Sequence, residues 1–346
     1  MSFAGEATTG PDEIQITTVH RRRAPLTRFF LRRLATGALT LIVASMLIFA
    51  ATDLLPGSPA SNALGKFATP EETHALNEKL GFNHPLPVRY WNWLEGAARG
   101  DLGASAVGTA NSGVAAPIWP LIHDRLLNTL TLALTTAVLL VPLALLFGTI
   151  AALRAGKLAD HTISTALLAT ISLPEFVAGT LLVLLFFSLL GWLPPNSFIP
   201  PGSPAIDHPK LLVLPVLTLL AASVAWSARL VRAGMLETLA SEYVQAARLH
   251  GLPETRIVRR YAMRNALAPS VQVFAVSIQA LFGGVIVTEV LFSYPGLGAE
   301  LVNGVQAHDT TLVQGIALVI ATFYILVNVI ADVVVVALVP RLRTEL

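Results

Sequence analysis

Charge-free apolar runs recur along the chain at Leu34–Thr52, Leu126–Leu153, His161–Ile206 (interrupted by Glu175), Leu211–Ser227, Asn265–Thr288 and Thr310–Ala331. A helix rises about 1.5 Å per residue, so about 20 apolar residues cross a ~30 Å hydrocarbon core. The third run is too long for one helix and carries Gly191, Pro194, Pro195, Pro200 and Pro201. It reads as one span over Thr162–Leu190 followed by a loop. No run alternates with the period of two that a barrel strand needs, and a helix satisfies its own backbone hydrogen bonds in lipid. The pattern predicts an all-α polytopic membrane protein with six transmembrane helices.

Composition supports this picture. Of the 346 residues 54% are hydrophobic and only 13% charged, against about 25% charged in an ordinary soluble domain. A water-soluble fold could not hide that much apolar surface. There is no cysteine, hence no disulfide and no thiolate site. The net charge of +2 is weak support for nucleic-acid binding, because membrane proteins keep Lys and Arg in their inner loops.

Those basic residues set the orientation. One side holds Arg21, Arg22, Arg23, Arg28, Arg32 and Arg33, then Arg154 and Lys157. It also holds Arg229, Arg232, Arg248, Arg256, Arg259, Arg260 and Arg264, and finally Arg341 and Arg343. The other side has Lys66, Lys79, Arg89, Arg99, Arg125 and Lys210 over a greater total length. The richer side is expected to be cytoplasmic, with both termini inside. The first run is too long for a signal-peptide core and lacks a small-residue cleavage site. The expected organisation is a disordered inner tail (1–25), a first span (26–55), an extracytoplasmic segment (56–125) and a core of five spans (126–346).

Two segments outside the runs carry pattern. In the outer one, Pro70 at a first-turn position, Thr69 before it and Glu71 and Glu72 after it predict a helix to Leu80, stopped by Gly81. That segment suits either a cap that stabilises the spans or a surface for a partner or substrate. The inner segment, residues 236–268, divides at Gly251. Helix formers over Leu236–His250 precede a residue suited to the left-handed conformation. Pro253 and Glu254 then open a second helix that carries a stripe of Arg256, Arg259, Arg260 and Arg264. Such an elbow could receive force from a soluble partner, or it could be a basic loop held at anionic headgroups.

Chemistry of its own is missing from the chain. Gly65-Lys66 is followed by Phe67 and Gly156-Lys157 by Leu158, so no phosphate-binding loop is present. No His-Glu-x-x-His pair exists, and Gly103-Ala104-Ser105 lacks the closing glycine of a hydrolase elbow. Ionisable groups in the spans remain. Glu175, beside the helix-kinking Pro174, could line a pathway or be a carboxyl paired across a helix interface. Glu289 and Asp332 lie nearer span ends, where hydration makes an unremarkable role easier.

The elbow Glu242-Tyr243-Val244-Gln245-Ala246-Ala247-Arg248 … Gly251 … Ile257 … Arg260 … Asn265-Ala266-Leu267-Ala268-Pro269 resembles the EAA-type motif of bacterial ABC importer permeases. More narrowly, it resembles the dipeptide/oligopeptide/nickel family on the side of its first, B-type subunit. Phe30-Leu31-Arg32-Arg33-Leu34, Leu54-Leu55-Pro56-Gly57, Gly100-Asp101-Leu102-Gly103, Arg125-Leu126 … Asn128-Thr129-Leu130 and Glu289 … Phe292 … Pro295-Gly296-Leu297-Gly298 fit too. The resemblance implies a type I importer fold in the bacterial plasma membrane. It also implies a second homologous permease, two ATP-binding subunits that hold ATP and Mg, and an extracytoplasmic peptide-binding protein. No cofactor belongs to this chain. ATPase coupling would fall to Glu242, Tyr243, Ala246, Ala247, Arg248, Gly251, Arg256 and Arg260, and the translocation pathway to Pro174, Glu175 and Glu289. Cargo among relatives includes di- and oligopeptides, glutathione and nickel chelates. Two departures stand out: the family usually has a small polar residue at Glu175, and a carboxylate before the final Pro340-Arg341, where this chain has Val339. A stand-alone secondary transporter or channel, with Glu175 as ion relay, is the alternative.

Overall fold

The computed structural model describes residues 26–53, 59–65, 68–200 and 202–338. The expected inner tail, the Leu54–Gly57 motif and Val339–Arg341 lie outside the described residues. Helix α1 (Leu26–Asp53) leads into short α2 (Pro59–Leu64), α3 (Pro70–Lys79) and α4 (Leu86–Ala98). Strands β1 (Ala104–Ser105) and β2 (Ala116–Pro117) flank α5 (Ala106–Ser112) and pair antiparallel. Long helices α6 (Ile118–Leu153) and α9 (Pro209–Leu239) are separated by α7 (Leu158–Ser172) and α8 (Glu175–Val183), which runs on through a π-type segment, Leu184–Leu189. Then come α10 (Glu242–Leu249), the single turn α11 (Glu254–Arg256), a π-type segment Ile257–Ala262, α12 (Met263–Leu291), α13 (Leu297–Gln306) and α14 (Thr310–Leu338). Apart from the two-residue ladder, the described elements are helical.

Among the described residues, five helices (α1, α6, α9, α12 and α14) are long and apolar enough to cross a membrane, and the α7–α8 pair makes a sixth span if counted as one. That pair departs from the expected kinked helix: its two halves meet at 109°. The cause is local. Proline disfavours the helical region for the residue before it, so Leu173 is extended (ψ 129°), and Pro174 is extended as well (ψ 144°). Two extended residues in succession end one helix and start another, where a proline inside a continuous helix would only bend it. Helix α6 also begins eight residues before the apolar run that marks it, at Ile118.

Buried side chains from α6, α9 and α12 (Leu132, Leu140, Val216, Leu219, Leu281 and Val285 among them) form the central core, with Tyr294 packed into it. Ser227 on α9 and Ser277 on α12 satisfy each other there at 2.8 Å. Helix α1 packs chiefly on α14, and Leu31, Leu34, Leu39 and Leu47 are left exposed, as a lipid-facing helix requires. Helices α2–α5 and α13 gather at one end of the bundle, here termed the cap side; α10 and α11 lie at the other, the elbow side.

The cap is tied down by polar contacts. Helix α3 starts with a reciprocal box: Glu72 N–H donates to Thr69 Oγ1 (3.2 Å) and Thr69 N–H to Glu72 Oε2 (2.9 Å). Arg89 on α4 pairs with Asp53 at the end of α1 (2.9 Å) and lies over the Phe49 and Phe82 rings. Asp309, just before α14, is buried and accepts from the Ser105 hydroxyl. Its other donors are the N–H groups of Ala106 (3.1 Å), Val107 (3.3 Å) and Leu312 (3.1 Å) and the Thr311 hydroxyl (3.0 Å).

Candidate functional site

The elbow begins later than the sequence pattern suggested. Helix α9 runs to Leu239, Ala240 and Ser241 interrupt it, and the first elbow helix is the eight-residue α10 rather than the whole of 236–250. Gly251 has φ +71°, a conformation that costs other L-residues about 1–2 kcal/mol. Around it Leu252 N–H donates to Ala247 O (3.2 Å) and Gly251 N–H to Arg248 O (3.0 Å), the double closure of a Schellman motif. Arg248 then bridges the bend: its Nη2 and Nε donate to the two oxygens of Glu254 at 2.7 and 3.2 Å. That pairing holds the Glu254 carboxyl below its ordinary range and raises the Arg248 guanidinium.

Underneath, Val244, Ala247 and Ile257 form a small buried core with Leu239, Leu252 and Tyr261 packed against it. Each fully buried aliphatic side chain contributes ~1.5–3 kcal/mol, so the elbow is a shaped unit rather than a mobile loop. Its outer face is different. Leu249 is 89% exposed, Tyr243 is exposed, and Glu242, Ala246, Arg256, Arg259 and Arg260 point outward too. A methyl group at Gly251 would meet nothing within 4 Å. The elbow therefore presents an apolar tip with basic flanks on open space. The side chain of Arg264 lies outside the described residues.

Glu175 sits at the α7–α8 break and is half-buried. Its Oε1 accepts from the Thr288 hydroxyl (3.1 Å), and its carboxylate packs against Gly284, where a methyl group would come within 2.5 Å of Oε1. It lines a cavity of about 360 Å³ between α7, α8, α9 and α12, whose other walls include Ser223, Trp226, Ser277 and Ala280. Pro174 makes the cavity without lining it, by placing Glu175 at the start of a new helix.

Residues 144–344 match the family described as binding-protein-dependent transport system inner membrane component, and residues 26–133 match its N-terminal companion. A probable peptide ABC transporter permease protein of Sinorhizobium fredii is 31% identical over 315 residues, covering 91% of this chain and 99% of that one. The glutathione transport system permease protein GsiC of Escherichia coli is 34% identical over 315 residues, covering 91% and 98%. The chain belongs to this permease family. It is an ABC transporter permease of the dipeptide/oligopeptide type, a multi-pass component of the inner membrane, and the stand-alone transporter reading gives way to membership of a larger complex.

The second carboxylate singled out in the spans has a different place in the permease. Glu289 lines neither this cavity nor an open path. It is completely buried and accepts from Thr129 Oγ1 (2.6 Å), Gly298 N–H (2.6 Å) and Ala299 N–H (3.1 Å). Thr129 also receives Leu297 N–H (2.8 Å), Asn128 donates to Pro295 O (3.0 Å), and the Tyr294 hydroxyl donates to Asn128 O (2.7 Å). The carboxylate thus clamps the Pro-Gly-Leu-Gly turn onto α6. The expectation of a hydrated span-end group fails because α13 folds back over it.

Besides Asp309, sequence reasoning passed over the buried carboxylate of Asp160. Asp160, at the start of α7, accepts from Arg232 Nε and Nη2 (both 2.7 Å), Gly156 N–H (3.0 Å) and Ser164 Oγ (3.1 Å). Helix α9, which leads into the elbow, is thereby bolted to α7, which leads into Glu175. Nothing local marks the pair, since its members are 72 residues apart.

Proposed function

We propose that this permease is one half of the membrane channel of an ATP-driven importer of di- or oligopeptides, with α10 as the contact through which partner ATPases move it. The second permease subunit, the two ATP-binding subunits and an extracytoplasmic binding protein complete the complex, ATP and Mg staying on the partners. The elbow side is then cytoplasmic, as its Arg256, Arg259 and Arg260 favour. The carrying observation is the elbow itself: a bend closed by Gly251 and Arg248–Glu254, cored by Val244 and Ile257, with Leu249 and Tyr243 turned outward. Burying such a tip in a groove would supply the apolar centre and basic rim of an interface.

Glu175 is read as a pathway carboxylate that meets the amino group of cargo, since it is a half-free acid on a cavity at membrane depth. ATP-driven closure of the partners would bias two arrangements of the spans, and coupling requires that cargo and ATP each distinguish them.

The test uses the assembled complex in membrane vesicles. Gly251→Asn keeps a residue tolerant of positive φ and retains most transport and ATPase association. Gly251→Trp adds bulk where Gly251 has open space, and loses both while the subunit still inserts. Equal behaviour of the two variants, with transport and association unchanged, overturns the coupling assignment.

A further inference from the structure

A second and larger cavity, about 510 Å³, lies between α1, α12 and α14 in the elbow-side half of the bundle. Its walls include Gln272, Gln279, Tyr324 and Asn328, and none of these four side chains has a hydrogen-bond partner among the described residues. Arg33 and Asp332 also line it, and they are already spent on each other at 2.8 Å. The hydroxyls of Thr36 and Thr40 donate to carbonyls of their own helix.

Three carboxamides and a phenol are the wrong lining for lipid. An amide without a partner in an apolar medium is destabilised, and acyl chains offer no hydrogen bonds. These four unpartnered groups therefore call for a polar occupant. That occupant is also not simply ionic, because the charged groups on the walls neutralise one another. A carboxamide presents donors and an acceptor together, the complement of a peptide unit, and the volume falls in the ~300–1,000 Å³ range of small-molecule sites. Val276, on the exposed ridge of α12, lines both this cleft and the Glu175 cavity. The two spaces meet on that ridge, the amide-lined one lying toward the elbow side.

We propose that the α1–α12–α14 cleft is a hydrated solute chamber that recognises peptide-like amide groups through Gln272, Gln279, Tyr324 and Asn328. The proposal deepens the importer reading above and rests on it. Recognition is divided: Glu175 reads charge at one station, and the amides read backbone at the next, toward the elbow side.

The absence of cysteine from the chain makes the test direct. Gln279→Cys and Asn328→Cys each introduce a single thiol into this subunit of the assembled transporter, and Leu39→Cys, on the exposed face of α1, is the lipid control. Membrane vesicles are treated with a charged, membrane-impermeant methanethiosulfonate, with and without dialanine, trialanine or glutathione. The reagent modifies Gln279→Cys and Asn328→Cys but not Leu39→Cys, and a probe that wild-type vesicles accumulate slows the reaction several-fold. Modification by an apolar maleimide alone would mean a lipid-filled cleft and overturn the proposal. So would a disulfide to a cysteine on the second permease subunit with no labelling by the polar reagent.

A second measurement separates recognition from packing. Gln279→Leu raises the apparent KM for uptake about 3- to 10-fold, the worth of one neutral hydrogen bond, and Gln279→Asn recovers most of it. An unchanged KM in Gln279→Leu overturns recognition by this side chain. Uptake without any slowing of labelling overturns the chamber alone. Absence of uptake for all three probes overturns the cargo reading instead, and the chamber then stands only if the polar reagent still reaches Gln279→Cys.

Discussion

Glu175 and Glu289 are both carboxylates at membrane depth, and their surroundings give them different work. Glu289 receives a hydroxyl and two backbone N–H groups and touches no open space. Replacing it with alanine strands those donors in the interior, each at ~1–3 kcal/mol. Glu289→Ala therefore lowers the melting temperature of the purified subunit sharply, and Gly298→Ala does the same, because its methyl group would meet the Ile286 Cα at 2.7 Å. Glu175 has one donor and a cavity, so Glu175→Gln leaves melting close to wild type and shifts transport instead, most for substrates with a free amino group. Uniform transport by Glu175→Gln would reduce it to a packing role. The Arg248–Glu254 pair carries a pH dependence. A carboxyl held below its ordinary value near 4.5 stabilises the fold above that value and ceases to as pH falls through the lowered one. Since Glu254 is exposed, the effect is under ~1 kcal/mol. Protease sensitivity at residues 249–254 is accordingly flat from neutral pH down to about 5 and rises only in stronger acid.

At the scale of elements, the Asp160–Arg232 pair joins helices that bear the two ends of the proposed mechanism. Asp160→Ala leaves a partly exposed guanidinium unpaired, a loss of about 1–3 kcal/mol once solvent screening is allowed for, seen as a lower melting temperature. The double change Asp160→Leu with Arg232→Met recovers much of it; if the double variant melts no higher than the single, the ion pair is not the source. Spans and the elbow were legible in the sequence because their signals are local: apolar runs, a glycine between helix formers, Thr69 three residues before Glu72. The α7–α8 corner was half-legible. Pro174 announced an interruption, but whether the chain bends or turns through 109° depends on Leu173 also being extended, and on α9 and α12 accepting the turned segment. The start of α10 was misplaced because Leu236–Leu239 suit a helix equally well as the end of α9. Asp160, Asp309 and Gln279 were illegible as site residues. Each matters through partners or a space that only the folded chain brings near.

For the whole molecule, cap and bundle are joined by an apolar cluster that includes Leu102, Ile118, Leu297, Leu312 and Ile316 and by polar contacts, among which the buried Asp309 gathers the most donors. Asp309→Ala loosens the 103–117 segment from the first turn of α14, where Ala106 N–H still donates to Thr311 Oγ1 (2.9 Å). Limited proteolysis of that variant cuts within 103–117 faster than wild type while the spans stay protected; an unchanged cutting rate would mean that the Ala106–Thr311 hydrogen bond and the packing of Leu102 and Ile118 on Leu312 and Ile316 hold the segment without it.

The Asp309 clasp has a mechanical corollary. It fixes the cap rigidly to the root of α14, and Asp332 stands 22 residues, or roughly 33 Å, along the same rod, gripping Arg33 of α1. A tilt of ~5° imposed on the cap swings Asp332 sideways by about 3 Å on that lever arm, as much as the ion pair's own length. A push delivered on one face of the membrane would arrive on the other as a tug on the first helix, prising or pinching the amide-lined wall between them.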